Sequence, residues 1–325
     1  MKRFLLLTLL ALGVLGIGLY FVDTNLRARA LADADSALAV QARLFANSVD
    51  RLLQWRMSEA FTFAALPSLR GFAAADETTR PARAAIALNE LKAIVAADPN
   101  VRAASIADPA GAVILTTDGS MNADWSARVF VREALAGHLY ASAPSRDFGE
   151  VAQYYSAPIL DNAGNVVAAF VLRVAVREVW GALGNTPNVL LVDENSVRVV
   201  DLSATPLDFA AVAPMAPALA AGLLAEKQYG AEVTQIGVAN VPALADALQR
   251  GAPATVTYRD ASGQPMRAAI QRLATRPWSV VVSQNQDAIL SSTHDAFWET
   301  LAFGAVALVA EAILWIALGS FERRP

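Results

Sequence analysis

Tyr155-Ser156-Ala157-Pro158-Ile159-Leu160-Asp161-Asn162-Ala163-Gly164-Asn165-Val166-Val167 is two apolar stretches joined by a turn. Asp161 and Asn162 bring turn-forming side chains and Gly164 brings tolerance of positive φ, so the chain should reverse there between a strand over 151–158 and one over 166–176. The same pattern returns at Arg259-Asp260-Ala261-Ser262-Gly263-Gln264, between strands expected over 254–259 and 265–274. One D-x-x-G turn is common in any β protein. Two, at matching places in similar surroundings, point to an internal repeat.

Outward from these turns each half reads alike. Before the first lie a hairpin (101–107, the turn Asp108-Pro109-Ala110-Gly111, 112–117) and a helix over 126–136 closed by Gly137. Before the second lie a hairpin (188–193, turn 194–196, 197–201) and helices near 214–225 and 241–249; after it comes a closing strand over 278–284. Two α/β units follow, 67–180 and 181–285. Ahead of them, residues 23–66 contain no proline or glycine, and Leu26, Ala30, Ala37, Leu44, Leu52 and Trp55 recur near helical spacing. That predicts one long helix, reaching about 60 Å, which must pack on a domain or on a second copy of itself. Pro67 ends it. A second helix follows Pro81 with Ile86, Leu88, Leu91, Ile94 and Val95 as its apolar face, and stops near Asp98-Pro99.

The ends differ in kind. Residues 4–22 form an apolar run broken only by Thr8, preceded by Lys2 and Arg3; 297–319 form a second run, with Trp298 and Trp315 toward its ends and Arg323-Arg324 after it. Each is long enough to cross a bilayer, and basic flanks favour the cytoplasmic side. The expectation is a two-pass protein of the cell membrane, both termini cytoplasmic and the central segment outside, with a short tail at 320–325. Ala28-Arg29-Ala30 leaves a cleaved secretory signal as the competing reading. Glu311 lies inside the second run, where a carboxyl group is costly; it is expected to face a partner helix, coupling the span to a homodimer or a signalling partner.

Composition excludes much. The 325 residues are 55% apolar and 17% charged, with net charge −4, which does not suit a nucleic-acid binder. There is no cysteine, and the two histidines, His138 and His294, lack metal-ligand spacing. No G-x-S-x-G elbow, phosphate loop or H-E-x-x-H is present; Asp193-Glu194 and Asp201 read as turn and strand-end residues. No catalytic residue, metal or cofactor is expected.

The order of elements resembles the double Cache sensor domains of bacterial chemoreceptors and sensor kinases. The resemblance rests on Arg128-Val129-Phe130-Val131-Arg132-Glu133-Ala134-Leu135-Ala136-Gly137, on the 155–167 stretch, and on the ending Pro277-Trp278-Ser279-Val280-Val281-Val282-Ser283. It implies an α+β fold: a long N-terminal helix with two PAS-like antiparallel-sheet units in tandem, flanked by two transmembrane helices. It also implies that the membrane-distal unit, about 100–177, holds a small-molecule ligand.

Trp125, Arg128, Phe130, Tyr140, Asp147 and Tyr154 are the candidate ligand residues: aromatic walls, and an arginine fork suited to a carboxylate. Arg128 opens the 126–136 helix and reads as the anion clamp or as a surface charge. As a clamp, its truncation to alanine should remove binding and leave the domain folded. Amino-acid-binding members of the family carry Tyr, then R-x-W-Y, then a later Asp. Here Ala123, Phe130 and Val131 stand in the aromatic places, and Asp147 falls about two positions from the later Asp, so a small carboxylate or other metabolite is at least as good a candidate as an α-amino acid. The chain stops six residues after Gly319, so a separate signalling protein is expected to receive the signal, or the sequence is part of a longer kinase or chemoreceptor. The rival reading is a non-sensing extracytoplasmic scaffold or adhesion module.

Overall fold

A single helix, α1 (Lys2–Ala64), carries the chain from its first residues to the folded part. The structure is a computed structural model; it describes residues 2–184, 186–203, 206, 208–260 and 262–291, and beyond them 298, 301–306, 309, 310 and 313, with the backbone alone at 2–12, 14 and 15. At 63 residues, α1 spans roughly 95 Å. Leu38, Ala42, Ala46, Val49, Leu53, Ala60 and Ala64 are buried along one stripe, and its alanines let the sheets approach the helix closely. The helix ends before Pro67, which opens a further short helix, α2 (Pro67–Ala73), not foreseen in the sequence. Next comes α3 (Arg80–Ala97).

The first sheet holds β1 (Val101–Ala107), β2 (Val113–Thr116), β3 (Tyr140–Ala141), β4 (Ser145–Asp147), β5 (Glu150–Leu160) and β6 (Val166–Ala175), ordered β2-β1-β6-β5-β3 with β4 also on β5. Helix α4 (Val129–Leu135) lies between β2 and β3, and α5 (Arg177–Ala182) links the units. The second sheet holds β7 (Val189–Val192), β8 (Val197–Asp201), β9 (Ala210–Ala211), β10 (Gly237–Val238), β11 (Ala254–Arg259), β12 (Pro265–Arg272) and β13 (Ser279–Asn285), ordered β10-β9-β8-β7-β13-β12-β11. Helices α6 (Pro217–Ala225) and α7 (Pro242–Arg250) fall between β9 and β11.

Setting aside the short strands β4, β9 and β10, both sheets have the order second, first, fifth, fourth, third. The repeat extends to side-chain chemistry. Asp108, Asp161, Asp193 and Asp260 each sit in a hairpin turn, and Oδ1 of each accepts the amides two and four residues on. These are Asx turns, built from local hydrogen bonds alone.

Both sheets lay one face on α1 and cover the other with shorter helices. Phe170, Leu172, Tyr155 and Ile159 of the first sheet and Val189, Leu191, Val280 and Val282 of the second belong to one continuous core with α1. The opposite face of the first sheet meets α4, through Ala169, Val171, Phe130 and Ala134. That of the second meets α7, through Leu190, Ile270, Leu244 and Ala247. Polar ties fix the helix: Asp35 takes the Arg267 guanidinium, and Asp50 accepts the amides of Ala274 and Thr275 at 2.9 and 2.8 Å.

Two expectations, for α3 and α4, need correction. In α3, Ile86 is 64% exposed while Ala87 and Leu91 are fully buried, so the buried stripe runs through the alanine. The 126–136 helix begins only at Val129, because Arg128 is extended (φ −75°, ψ 123°) and occupies the N-cap position. Among the described residues, no helix is long and apolar enough to cross a membrane. Glu311 and His294, and most of 297–319, lie outside the described residues. The closing strand does lead directly onward: β13 ends at Asn285, whose Oδ1 accepts the amides of Asp287 and Ala288 at the head of a helix over 286–291.

Candidate ligand site in the first unit

Strand alternation sends Tyr154 and Ser156 of β5, and Ala169, Val171 and Arg173 of β6, to the face under α4. Helix α4 is held down there by Ser156, whose hydroxyl donates to the Phe130 carbonyl at 2.6 Å. The rings of Phe130 and Tyr154 stack with centroids 4.5 Å apart, and Trp125 meets both edge-on at 5.6 and 6.2 Å. Tyr140 closes the group from β3 and is also buried. Tyr155, one residue on, faces α1 instead and is a core residue.

Arg128 is not a surface charge. Its side chain is 7% exposed and that of Asp147 6%. Its guanidinium donates to both Asp147 oxygens, at 2.8 and 3.4 Å, and lies 5.0 and 5.2 Å from the Phe130 and Tyr154 ring centroids. The extended backbone of Arg128 turns its side chain inward, and Asp147, just before a two-residue turn at Phe148-Gly149, meets it there. Asp147 also accepts from the Tyr154 hydroxyl at 3.0 Å, the Ser145 hydroxyl at 3.3 Å and the Ala231 amide at 2.7 Å. Burial pushes its carboxyl group up, but the Arg128 fork, the amide and the phenol outweigh that and hold it below the ordinary carboxylate value. The Tyr154 hydroxyl, buried beside this carboxylate, is pushed above the ordinary phenol value.

Sequence reading missed Arg173. It is directly across from Tyr154 in the ladder, with a side chain 10% exposed. Its Nε and Nη1 make no hydrogen bond; Glu150 and Asp118 lie 3.4 and 3.8 Å away, and the exposed Phe148 ring sits 4.6 Å over it. A lone arginine in the apolar run 166–176 was the available signal. Arg132 is exposed and pairs with Glu226; Arg146 is exposed too, its guanidinium over the Phe209 ring.

The cleft beside Arg128 has a free volume of only about 10 Å³, bounded by Phe130, Tyr140 and Ser145 and by Lys227 and Gln228 from the second unit. That is room for about one water molecule. Among the described residues, no group of three or more acidic or histidine side chains could hold a metal ion.

Below the site, in the second unit, lies Asp193. Its carboxyl group is pushed up to about 7, by burial and then by Glu194, against hydrogen bonds from Tyr229, Val197 and Asn195. Unfolded, it would ionise near 3.9. Between these values the folded chain holds a proton that the unfolded chain lacks, so stability falls as pH rises from about 4 to about 7. Asp193→Asn keeps the Asx turn and removes that slope. Thermal melts should find the variant close to wild type at about pH 5 and several degrees more stable at about pH 8. Equal differences at the two pH values would contradict a buried, protonated carboxyl group.

No family model and no curated protein matches the chain. Solved structures do. The sensor domain of the Vibrio cholerae histidine kinase DctB superposes with TM-score 0.63 at 14% identity, covering 79% of this chain and 98% of that one. The ligand-binding domain of the Campylobacter jejuni chemoreceptor Tlp3, in complex with L-valine, gives TM-score 0.55 at 13% identity, covering 83% and 98%. The Tlp3 sensory domain with isoleucine bound gives 0.53 at 14%, covering 83% and 98%. The fold is that of the double Cache extracytoplasmic sensor domains.

Proposed function

We propose that the chain is a membrane-anchored extracytoplasmic sensor whose first, membrane-distal unit binds a small molecule carrying a carboxylate group. The observation that carries this reading is the buried Arg128–Asp147 pair on the α4 face of the sheet, walled by Trp125, Phe130, Tyr140 and Tyr154. Three features of this face narrow the ligand. A carboxylate suits the Arg128 fork. Taking Arg128 away would leave Asp147 buried without its cation, so the ligand needs a hydrogen-bond donor or an ammonium group for Asp147. Arg173, with two nitrogens lacking hydrogen bonds, is a second anion-binding group on the same face. The L-valine and isoleucine complexes of the chemoreceptor neighbour have the same chemistry of carboxylate and ammonium.

Anchoring rests on the apolar runs 4–22 and 297–319 with their basic flanks. Ile17, Tyr20 and Phe21 at one end, and Phe303, Val306 and Val309 at the other, are all more than half exposed in the isolated chain. Such clusters call for an apolar surrounding. In this reading both termini are cytoplasmic, and the signal leaves through the helix that begins at residue 286, toward a second copy or a separate signalling protein. The readout surface includes Glu311.

A thermal-shift screen of the full chain against L-α-amino acids and short-chain mono- and dicarboxylates tests the reading. A compound at about 100 times its Kd should raise stability by roughly 2.7 kcal/mol, a shift of several degrees. No shift across both classes would favour the scaffold reading instead.

A further inference from the structure

The segment 226–232 follows α6, in the second unit, yet it lies on the first. The Arg146 amide donates to the Tyr229 carbonyl at 2.8 Å, and the Glu232 amide to the Arg146 carbonyl at 3.3 Å. The Ala231 amide donates to Asp147 at 2.7 Å, and the Gly149 amide to the Glu232 carboxylate at 2.7 Å. Gly230, at φ +100°, is pressed so close that a Cβ there would fall 2.0 Å from the Arg146 carbonyl oxygen. Only glycine fits this crossing. The segment therefore supplies Lys227 and Gln228 as one side of the Arg128 cleft, and one of the donors that hold Asp147. With free volume for about one water, the cleft can admit a metabolite only if a side moves. The sheet side is locked by ladders and α4 by Ser156. The strap is held by five polar contacts to the first unit, four of them to the β4–β5 hairpin and one, Glu226 with Arg132, to α4.

The strap is also tied below. The Tyr229 hydroxyl donates to Asp193 at 2.6 Å. A second tie ends in the same turn: Arg276 donates to the Tyr140 hydroxyl at 2.8 Å and reaches Glu194 at 3.4 Å, while the indole of the fully buried Trp278 donates to Glu194 at 2.6 Å. The strap and Tyr140, on the edge strand β3, thus both connect to the β7–β8 turn, residues 193–196. Strand β7 pairs with β13, which runs straight into the helix at 286.

We propose that the strap 226–232 of the second unit is the moving wall of the first unit's ligand site, and that its position, relayed through Tyr229 to the 193–196 turn, is how the second unit reads occupancy. This rests on the sensor reading for its ligand, but not for its test. Hydrogen exchange is followed on the full chain with no compound added. A wall that opens should leave the amides of Arg146, Gly149, Ala231 and Glu232 exchanging as one group, at least about tenfold faster than the β5–β6 ladder. Gly230→Val should release that group and speed the Asn195 and Val197 amides, which bond Asp193, while the ladder keeps its protection. Tyr229→Phe should leave the strap amides as they were and uncouple them from the turn. Exchange of the four amides at the rate of the ladder would overturn the proposal, as would a folded Gly230→Val chain with unchanged protection. If Gly230→Val does not fold, the wild-type rates decide alone. The amino-acid and carboxylate screen is then repeated on Gly230→Val, where a strap already released should let active compounds bind at least about tenfold more tightly; unchanged or weakened binding counts against the wall. A screen silent on wild type would remove the sensor reading and leave the exchange result standing.

Discussion

Arg56→Ala should destabilise the folded chain by about 3–5 kcal/mol in urea unfolding, the range for removing one member of a buried ion cluster. Arg56 has no exposed side-chain surface although it lies on α1. It donates to Glu59 at 2.5 Å, to Asp98 at 2.6 Å and to both oxygens of Glu178. These partners belong to α1, the C-cap of α3 and the linker helix α5, so one guanidinium joins the helix to the start of the first sheet and to the junction between the units. Asn100 donates to Glu178 as well, and Arg177 to Asn100. Without Arg56, three carboxylates converge with no central cation. Arg56→Lys keeps the charge and loses the fork, and should recover only part of the loss. A cost below about 1 kcal/mol would place the cluster with weak surface pairs instead.

The second large effect is at Arg128. The buried Arg128–Asp147 pair gives Arg128→Ala a structural cost besides the loss of a ligand contact, because the substitution strands Asp147. A loss of about 3–5 kcal/mol is expected, together with loss of binding to any carboxylate found in the screen. The double variant Arg128→Met, Asp147→Asn removes both charges, keeps acceptors and donors for Tyr154 and Ala231, and should regain most of the stability without regaining binding. That separation of folding from recognition is the useful result. A double variant as unstable as Arg128→Ala would show that the pair is structural first.

What could be read in advance followed the range of the interactions. The Asx turns at Asp161 and Asp260 depend on amides two and four residues away, so the repeat was visible from sequence. The aromatic cluster was visible too, since Trp125, Phe130 and Tyr154 lie within one short stretch. The inward turn of Arg128 depends on one extended N-cap residue, which spacing does not reveal. The strap was out of reach: Ala231 and Asp147 are 84 residues apart, and an amide donor leaves no mark on its side chain. Arg173 was partly legible, a charge within an apolar stretch, whereas Arg56 was not, since its partners Glu59, Asp98 and Glu178 come from three different places in the chain. Alanine at 87 displaced Ile86 from the core because α3 packs closely enough to prefer the smaller residue.

The structure of the chain with the compound that gives the largest thermal shift tests the central claim most directly. The account predicts the compound's carboxylate within about 3 Å of the Arg128 guanidinium, its donor on Asp147, and the strap drawn back to make room. A compound seated elsewhere would contradict it, for example in the 360 Å³ groove bordered by Phe61, Arg70 and Asp161, with the Arg128–Asp147 pair undisturbed.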